Sequence, residues 1–177
     1  DLWLYFGTGN TQKLQEQSTN IKNRVYGIKD KNFPSFSTIS SSGTVAQCKT
    51  APTCPGGSDL GWYVDLANKQ KLTAEPTMYK DRVYFPIYQP TSGGTGCNTG
   101  TALLTAYNSK CGNSVLNVNV GTGVLSKVVV QKDNLYIGIA GEAKENIAGF
   151  TSKDNLITGK SKAKGGGAIS IEGWKQN

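Results

Sequence analysis

The chain has 177 residues, a net charge of +7 and no histidine. The length suits one domain with a real core. The lack of histidine excludes His-based catalytic triads, histidine metal ligands and the usual general base near neutral pH. The charge is scattered without a stripe of aromatic and basic residues, which disfavours nucleic acid as a partner. No apolar run approaches the roughly 20 residues of a membrane-spanning helix, so no membrane span is expected.

The composition predicts an all-β chain. The 22 Gly, together with many Asn, Ser, Thr, Val and Tyr, favour turns and pleated strands over helices. The predicted strands are Leu2–Phe6, Arg24–Ile28, Gly61–Leu66, Leu72–Met78, Arg82–Tyr88, Ala102–Tyr107, Val124–Val130, Leu135–Ile139 and Ala168–Trp174. The chain opens in a strand, without the features of a signal peptide, which suggests a piece of a longer protein.

Turn-rich stretches are predicted to form loops on this β scaffold. Residues 31–58 and 142–167 are expected to be long loop insertions, and residues 91–100 a shorter Gly-rich loop. Pro86 has no N–H, so its strand is expected at a sheet edge or a bulge. The segment Lys160–Lys164 alternates Lys with small residues. It is expected to be a mobile hairpin tip that could touch acidic polysaccharide, lipid head groups or an acidic partner.

The four cysteines fall into two pairs along the sequence, Cys48 with Cys54 and Cys97 with Cys111. Four cysteines allow three connectivities, so local disulfide pairing is one interpretation among three. A zinc site competes with it, although the sequence has no close CxxC pairs and no histidine to complete one. Paired cysteines in a Gly-, Ser- and Thr-rich chain indicate an oxidising compartment, either the periplasm, the cell surface or the outside.

The pattern of short strands fits a sandwich, a barrel or a propeller. Three segments place an aromatic residue after an aliphatic one and before Gly or Pro: Leu4–Gly7, Val83–Pro86 and Leu135–Gly138. Strands of this kind recur once per blade in a propeller, where the chain approaches the central channel. The repeat therefore favours a partial β-propeller with long loop insertions.

Several motifs follow one another in a specific order. Tyr5–Gly9 reads Tyr-Phe-Gly-Thr-Gly, Arg24–Asp30 reads Arg-Val-Tyr-Gly-Ile-Lys-Asp, and Gly61–Leu66 reads Gly-Trp-Tyr-Val-Asp-Leu. Residues 82–112 add a further strand, a Cys and a Gly-rich step, and Ile169–Trp174 ends the series. As an ordered set, the motifs resemble the C-terminal β-propeller of PilY1-type proteins, which associate with the tips of type IV pili.

The resemblance implies a protein that acts by binding rather than by catalysis. Residues 1–177 would be the C-terminal blades of a large secreted bacterial protein at the pilus tip, the cell surface, the outer membrane or the periplasm. Its expected partners are minor pilins or the N-terminal part of the same precursor, and its expected roles are pilus assembly, adhesion and motility. The family's calcium loop is not found, since Lys29–Asn32 and Lys132–Asn134 are too short and carry Lys. No cofactor is therefore expected.

Two other functions stay open. A carbohydrate- or surface-binding adhesin would stack exposed aromatic rings on a sugar face, and a quinoprotein-like propeller enzyme would need a cofactor cage with an acid and a base. The Asp residues lie at predicted strand ends, where Asp usually closes turns, so no enzyme is expected and no catalytic residue is assigned. The candidate binding residues are Trp62, Tyr63, Tyr88, Lys160, Lys162 and Lys164.

Overall fold

The computed structural model describes residues 2–16, 21–30, 33–34, 46–47, 60–91 and 99–164. These ranges form β-strands, turns and one short 3₁₀ helix, so the all-β prediction is confirmed for them. The strands are β1 (Leu2–Gly7), β2 (Arg24–Asp30), β3 (Ala46–Gln47), β4 (Gly61–Asp65), β5 (Lys71–Leu72), β6 (Thr77–Tyr79), β7 (Arg82–Gln89), β8 (Thr101–Asn108), β9 (Ser114–Leu125), β10 (Val129–Gln131), β11 (Asn134–Ala143), β12 (Phe150–Lys153) and β13 (Leu156–Lys160), and the 3₁₀ helix is Thr11–Lys13. None of the described segments is a helix that could cross a membrane.

The strands form two sheets. The first sheet has the order β1-β2-β4-β3, and its pairs are antiparallel except that β3 runs parallel to β4. The second sheet has the order β12-β13-β11-β9-β8-β7-β5, with β6 also beside β7 and β10 also beside β11. Among the described strands neither sheet closes on itself, so the architecture is a pair of open, mainly antiparallel sheets.

Strand β7 is buried on both faces. One face carries Val83, Phe85 and Ile87, which pack in one apolar cluster with Trp62 of the first sheet. The other face carries Tyr84, which joins a larger cluster formed with buried residues of β8, β9, β11 and β13. Burial on both faces explains why β7 is an almost continuous apolar run instead of an alternating one.

Strands β9 and β11 of the second sheet each change partner along their length. The first part of β9 pairs with β8, and its last residues pair with β11, which in turn pairs with β13 through its own first half. At Gly123 the backbone φ is +105°, and a Cβ there would lie 2.1 Å from the carbonyl oxygen of Ala140. Only glycine allows this close approach. The sequence predicted a strand only from Val124 onward, because the Asn and Gly residues that precede it have low strand propensity.

Pro86 lies in a central strand, which corrects the prediction of an edge or a bulge. Strand β7 pairs with β8 on one side and with β5 and β6 on the other. The carbonyl oxygen of Pro86 accepts a hydrogen bond from the N–H of Thr73 at 3.1 Å, so the backbone of Pro86 faces the gap between β5 and β6. The chain leaves the strand conformation at residues 73–76. The missing N–H therefore falls where the neighbouring strand is interrupted.

Two other expectations differ from the structure, while one falls mostly and one wholly outside the described residues. Residues 142–167, predicted as a loop insertion, contain the hairpin of β12 and β13, and Ile157 within it is fully buried. Residues 31–58, the other predicted insertion, contain β3, and most of the remaining residues in this range lie outside the described part. The strand predicted at Leu72–Met78 is split into β5 and β6, which both pair with β7. The strand predicted at Ala168–Trp174 lies outside the described residues.

Candidate functional site

The outer face of the first sheet is open to solvent and largely apolar, with Asp30 opposite Leu2 at one end and the Arg24–Asp65 ion pair at the other. In β1, Leu2, Leu4 and Phe6 point away from the second sheet, and their side chains are 48%, 63% and 39% exposed. Tyr26 of β2 lies directly opposite Phe6, and Tyr63 of β4 lies directly opposite Tyr26. Directly opposite residues share one face of a sheet. These five residues are called the outer face below.

The aromatic rings of the outer face form a row across three strands. The ring centroids of Phe6 and Tyr26 are 4.9 Å apart with nearly parallel planes, and those of Tyr26 and Tyr63 are 6.0 Å apart. The guanidinium of Arg24 lies 4.5 Å from the centroid of the Tyr63 ring and donates a hydrogen bond to Asp65 at 2.7 Å. This hydrogen bond raises the pKa of Arg24. The row is therefore held in place by ring contacts and by a cation on its last ring.

Among the described strands, β1 lies at an edge of the first sheet and lacks the usual protection of an edge. It pairs with β2 over its whole length, and no described strand lies on its other side. Its residues, Leu-Trp-Leu-Tyr-Phe-Gly, include no charge and no proline, and its register with β2 shows no bulge. Soluble proteins normally place one of these devices on an exposed edge. The free edge and the apolar outer face together are suited to accept another strand.

The inner face of the first sheet fixes its position on the second. Trp62 is fully buried, and its Nε1 donates a hydrogen bond to the carbonyl oxygen of Ser109 at 2.8 Å. The hydroxyl of Tyr5 donates to the same oxygen at 3.2 Å. Burial raises the pKa of Tyr5 to about 12, and the hydrogen bond to Ser109 lowers this pKa by a smaller amount. Both hydrogen bonds thus join the first sheet to the turn that follows β8 in the second sheet.

Two of the predicted binding residues do not face solvent. Trp62 belongs to the core between the sheets. Tyr88 is 3% exposed, and its hydroxyl accepts hydrogen bonds from the N–H of Gly100 and from the side chain of Gln15. Neither ring offers a surface to an external ligand in this structure. Tyr63, by contrast, is half-buried in the aromatic row.

The three predicted lysines lie on a segment that is held against the second sheet, not on a projecting hairpin tip. Lys160 is the last residue of β13. The carbonyl oxygen of Lys162 accepts a hydrogen bond from Arg82 at 2.6 Å, and the N–H of Lys164 donates to the carboxylate of Asp81 at 3.1 Å. All three lysines are exposed, and the residues between them are half-buried. The segment therefore presents three ammonium groups on one side.

The described residues line open grooves, and two of these are of similar size. One, of about 520 Å³, lies where β1 approaches the β5–β6 connection and contains Tyr5, Phe6 and Glu75; the carboxylate of Glu75 binds the ammonium of Lys127 at 2.7 Å. The other, of about 480 Å³, lies on β11, β12 and β13 and contains Tyr136 and Lys160. The sequence did not indicate Tyr136 as a surface residue, because the alternation in β11 does not show which face is covered.

The cysteine and metal predictions are tested only in part. Cys111 is disulfide-bonded, which removes its thiolate from any zinc site. The other three cysteines, Cys48, Cys54 and Cys97, lie outside the described residues. Within the part of the chain that the structure describes, no three Asp, Glu or Cys side chains come together as metal ligands.

In comparisons with known proteins, no family model, no curated protein and no solved structure matches the chain. The resemblance to PilY1-type proteins therefore rests on the ordered sequence motifs alone. Three of these motifs form β1, β2 and β4, which are neighbours in the first sheet. Each motif contributes one ring to the aromatic row: Phe6, Tyr26 and Tyr63.

Proposed function

We propose that the chain is a non-enzymatic binding part of a type IV pilus tip assembly of the PilY1 kind, located on the outside of a bacterial cell. It docks through β1 and the outer face onto a β-sheet of the N-terminal part of the same precursor. The observation that carries the proposal is the apolar outer face on an edge strand that has no protecting charge, proline or bulge.

The geometry of β1 favours a strand as its partner. The residues of one strand face repeat about every 7 Å, so Leu2, Leu4 and Phe6 form a row that the side chains of a neighbouring sheet can match. A paired strand would also satisfy the backbone groups of β1 that no described strand pairs, which a helix would leave unpaired. Fully burying one Leu or Phe side chain is worth about 1.5–3 kcal/mol. Covering these three partly exposed side chains would therefore contribute to the free energy of docking.

The remainder of the precursor fits this surface better than a second copy of the chain. The net charge of +7 makes two identical chains repel each other. In a propeller, neighbouring blades pack face to face, and the motifs that resemble the family form the sheet that carries the outer face. The outer face would then be the contact with the neighbouring blade.

The test is capture from the cell surface of the native producer. Leu4→Lys places a charge in the middle of the outer face, and Ile21→Lys is the matched control, because Ile21 is 51% exposed and lies outside that face. Each tagged variant is purified under native, non-reducing conditions, and the precursor's N-terminal part is identified by mass spectrometry. We expect Leu4→Lys to lose this partner and to lower the number of surface pili, while Ile21→Lys keeps both.

Three results would contradict the proposal. The Leu4→Lys variant could retain the N-terminal part at the level of the control. The unmodified chain could bind only a second copy of itself, which would make the outer face a dimer contact. It could instead bind minor pilins without the N-terminal part, which would assign the same surface to pilin capture.

A further inference from the structure

A row of register partners crosses the exposed side of the second sheet. Val129 of β10 pairs with Tyr136 of β11, which pairs with Thr158 of β13, which pairs with Thr151 of β12. Val129 is 59% exposed, Thr151 is exposed, and Tyr136 and Thr158 are half-buried. Since direct partners share a face, the ring of Tyr136 lies in the floor of this surface with an apolar neighbour on one side and hydroxyl groups on the other.

Polar groups surround this ring. Asn134 lies two residues before Tyr136, on the same face, and pairs with Lys160. The hydroxyls of Thr151 and Thr158 are 2.8 Å apart. Together with Tyr136 these four residues line the groove of about 480 Å³ on β11, β12 and β13. A volume of this size falls within the range of small-ligand sites, roughly 300–1,000 Å³.

The charge at the end of the groove is positive. Lys160 lines it, and Lys162 and Lys164 continue from it along the same exposed side. The nearby carboxylate of Asp133 is bound by the ammonium of Lys80 and by the hydroxyl of Tyr79, each at 2.7 Å. This carboxylate is therefore already hydrogen-bonded, and the charge of Lys160 adds a smaller lowering of its pKa. Lys162 and Lys164 add two further exposed cations beyond Lys160. The net charge of +7 adds long-range attraction for an acidic ligand.

An aromatic ring, hydroxyl and amide groups and an ammonium group in one open groove match a sugar acid. The C–H face of a pyranose ring packs on an aromatic ring, while its hydroxyls need polar partners and its carboxylate needs a cation. We propose that this groove binds a uronate-type acidic saccharide. The sugar ring lies on Tyr136, its hydroxyls meet Asn134 and Thr158, and its carboxylate meets Lys160.

The lysines beyond the groove indicate a polymer rather than a single sugar. Lys160, Lys162 and Lys164 are exposed and alternate with half-buried residues. Their ammonium groups can pair with successive acidic units of a chain that leaves the groove. The site lies on the second sheet, so it goes beyond the docking proposal and does not depend on it.

The test measures the affinity of the whole chain for three polymers by calorimetry. Polygalacturonate is the acidic saccharide, its fully methyl-esterified form is the neutral saccharide, and polyglutamate is an acidic polymer without sugar rings. The variants are Tyr136→Ala, Tyr136→Phe and Lys160→Gln. The matched control is Lys22→Gln, which removes one exposed charge next to the first sheet. Thermal unfolding of each variant shows whether it is folded.

We expect polygalacturonate to bind more tightly than either of the other polymers. Tyr136→Ala should weaken its binding about tenfold, and Tyr136→Phe, which keeps the ring, should change it by less than about twofold. Lys160→Gln should remove most of the preference for the acid over the ester, while Lys22→Gln leaves that preference intact. The proposal is overturned if polygalacturonate does not bind, if the ester binds equally well, or if folded Tyr136→Ala binds as the unmodified chain does. Equal binding of polyglutamate would also overturn it, in favour of an acidic peptide ligand.

Discussion

The indole ring of Trp62 lies against Gly112, where a Cβ would be 2.5 Å from the ring. Gly112 belongs to the turn after β8 in the second sheet, whereas Trp62 is in β4 of the first. On its other side the ring lies over Gly27 of β2, where a Cβ would be 2.4 Å away. The ring therefore packs between the backbones of both sheets, and its Nε1 is bound to Ser109 of the same turn. The outer face depends on this contact for its position.

Gly27→Ala should destabilise the fold by about 1–3 kcal/mol, the usual cost of overfilling a packed core. The added methyl group would overlap the Trp62 ring, which is held by a backbone contact on each side and cannot move aside. Gly138→Ala is the control, because a Cβ there meets only the side chain of Ser126 at 3.3 Å. Urea unfolding measures both free energies of unfolding. Equal free energies of unfolding for the two variants would show that the Trp62 ring has room to move.

The sequence predicted β1, β2 and β4 because each is a run of apolar and aromatic residues that ends at a turn. It could not show that Leu2, Leu4 and Phe6 are exposed, since a strand that is apolar on both faces reads like a buried strand. The aromatic row could not be predicted from the sequence either. Phe6, Tyr26 and Tyr63 lie far apart in sequence, and only the register of the three strands brings them together.

The sequence predicts a loop where β12 and β13 form a hairpin, and the reason differs from that for the outer face. Its exposed face carries Thr151, Lys153 and Thr158, and only Ile157 is fully buried. With so few apolar residues, a period of two is difficult to distinguish from an irregular polar stretch. Pairing with β11 decides the conformation, and this is a long-range interaction that local sequence does not contain. The propeller stays a prediction, because the described sheets are open.

The raised pKa of Tyr5 predicts a loss of stability at alkaline pH. The folded chain holds the Tyr5 proton up to a pH of about 12, whereas an unfolded Tyr releases it near pH 10. Between these values the unfolded state binds fewer protons, so the free energy of unfolding falls as pH rises. Below pH 10 the contribution of Tyr5 is fully present.

Tyr5→Phe should therefore unfold with a weaker dependence on pH between about 10 and 12 than the unmodified chain does. Burial also raises the pKa values of Tyr84 and Tyr107, so some dependence should persist in the variant. Denaturant unfolding at several pH values gives the comparison. If the free energies of unfolding of the variant and the unmodified chain change equally with pH over this interval, the Tyr5 hydroxyl titrates alike in the folded and unfolded chains.

Lys80 should control the ionisation of Asp133. The hydrogen bond from Lys80 is the main cause that lowers the pKa of the Asp133 carboxyl, followed by the hydrogen bond from Tyr79. Lys80→Met should raise this pKa toward its ordinary value, as followed by NMR of the carboxyl carbon during a pH titration. Lys127→Met is the matched control: it should raise the pKa of Glu75, which Lys127 lowers, and leave Asp133 unchanged. A shift of Asp133 in the control would show that net charge, not the direct contact, sets the value.

Strand β8 lies between two cysteines in the sequence: Cys97 precedes it and Cys111 follows it. It is eight residues long, or about 26 Å at roughly 3.3 Å per residue. Cys111 stays at its far end, because its N–H donates a hydrogen bond to the side chain of Asn108 at 3.0 Å. Cys97 comes three residues before Gly100, at the near end, and three residues reach at most about 11 Å. A disulfide needs Cα atoms within about 7 Å of each other.

The length of β8 thus argues against the pairing of Cys97 with Cys111 that sequence spacing suggests. Since Cys111 is disulfide-bonded, we expect its partner to be Cys48 or Cys54. This bond would tie the chain that follows β3 in the first sheet to the turn after β8 in the second, beside the Trp62 contact. Digestion without reducing agent, followed by mass spectrometry, should yield a peptide that contains Cys111 joined to one from residues 48–54. Recovery of Cys97 joined to Cys111 would mean that β8 is shorter or bent in solution.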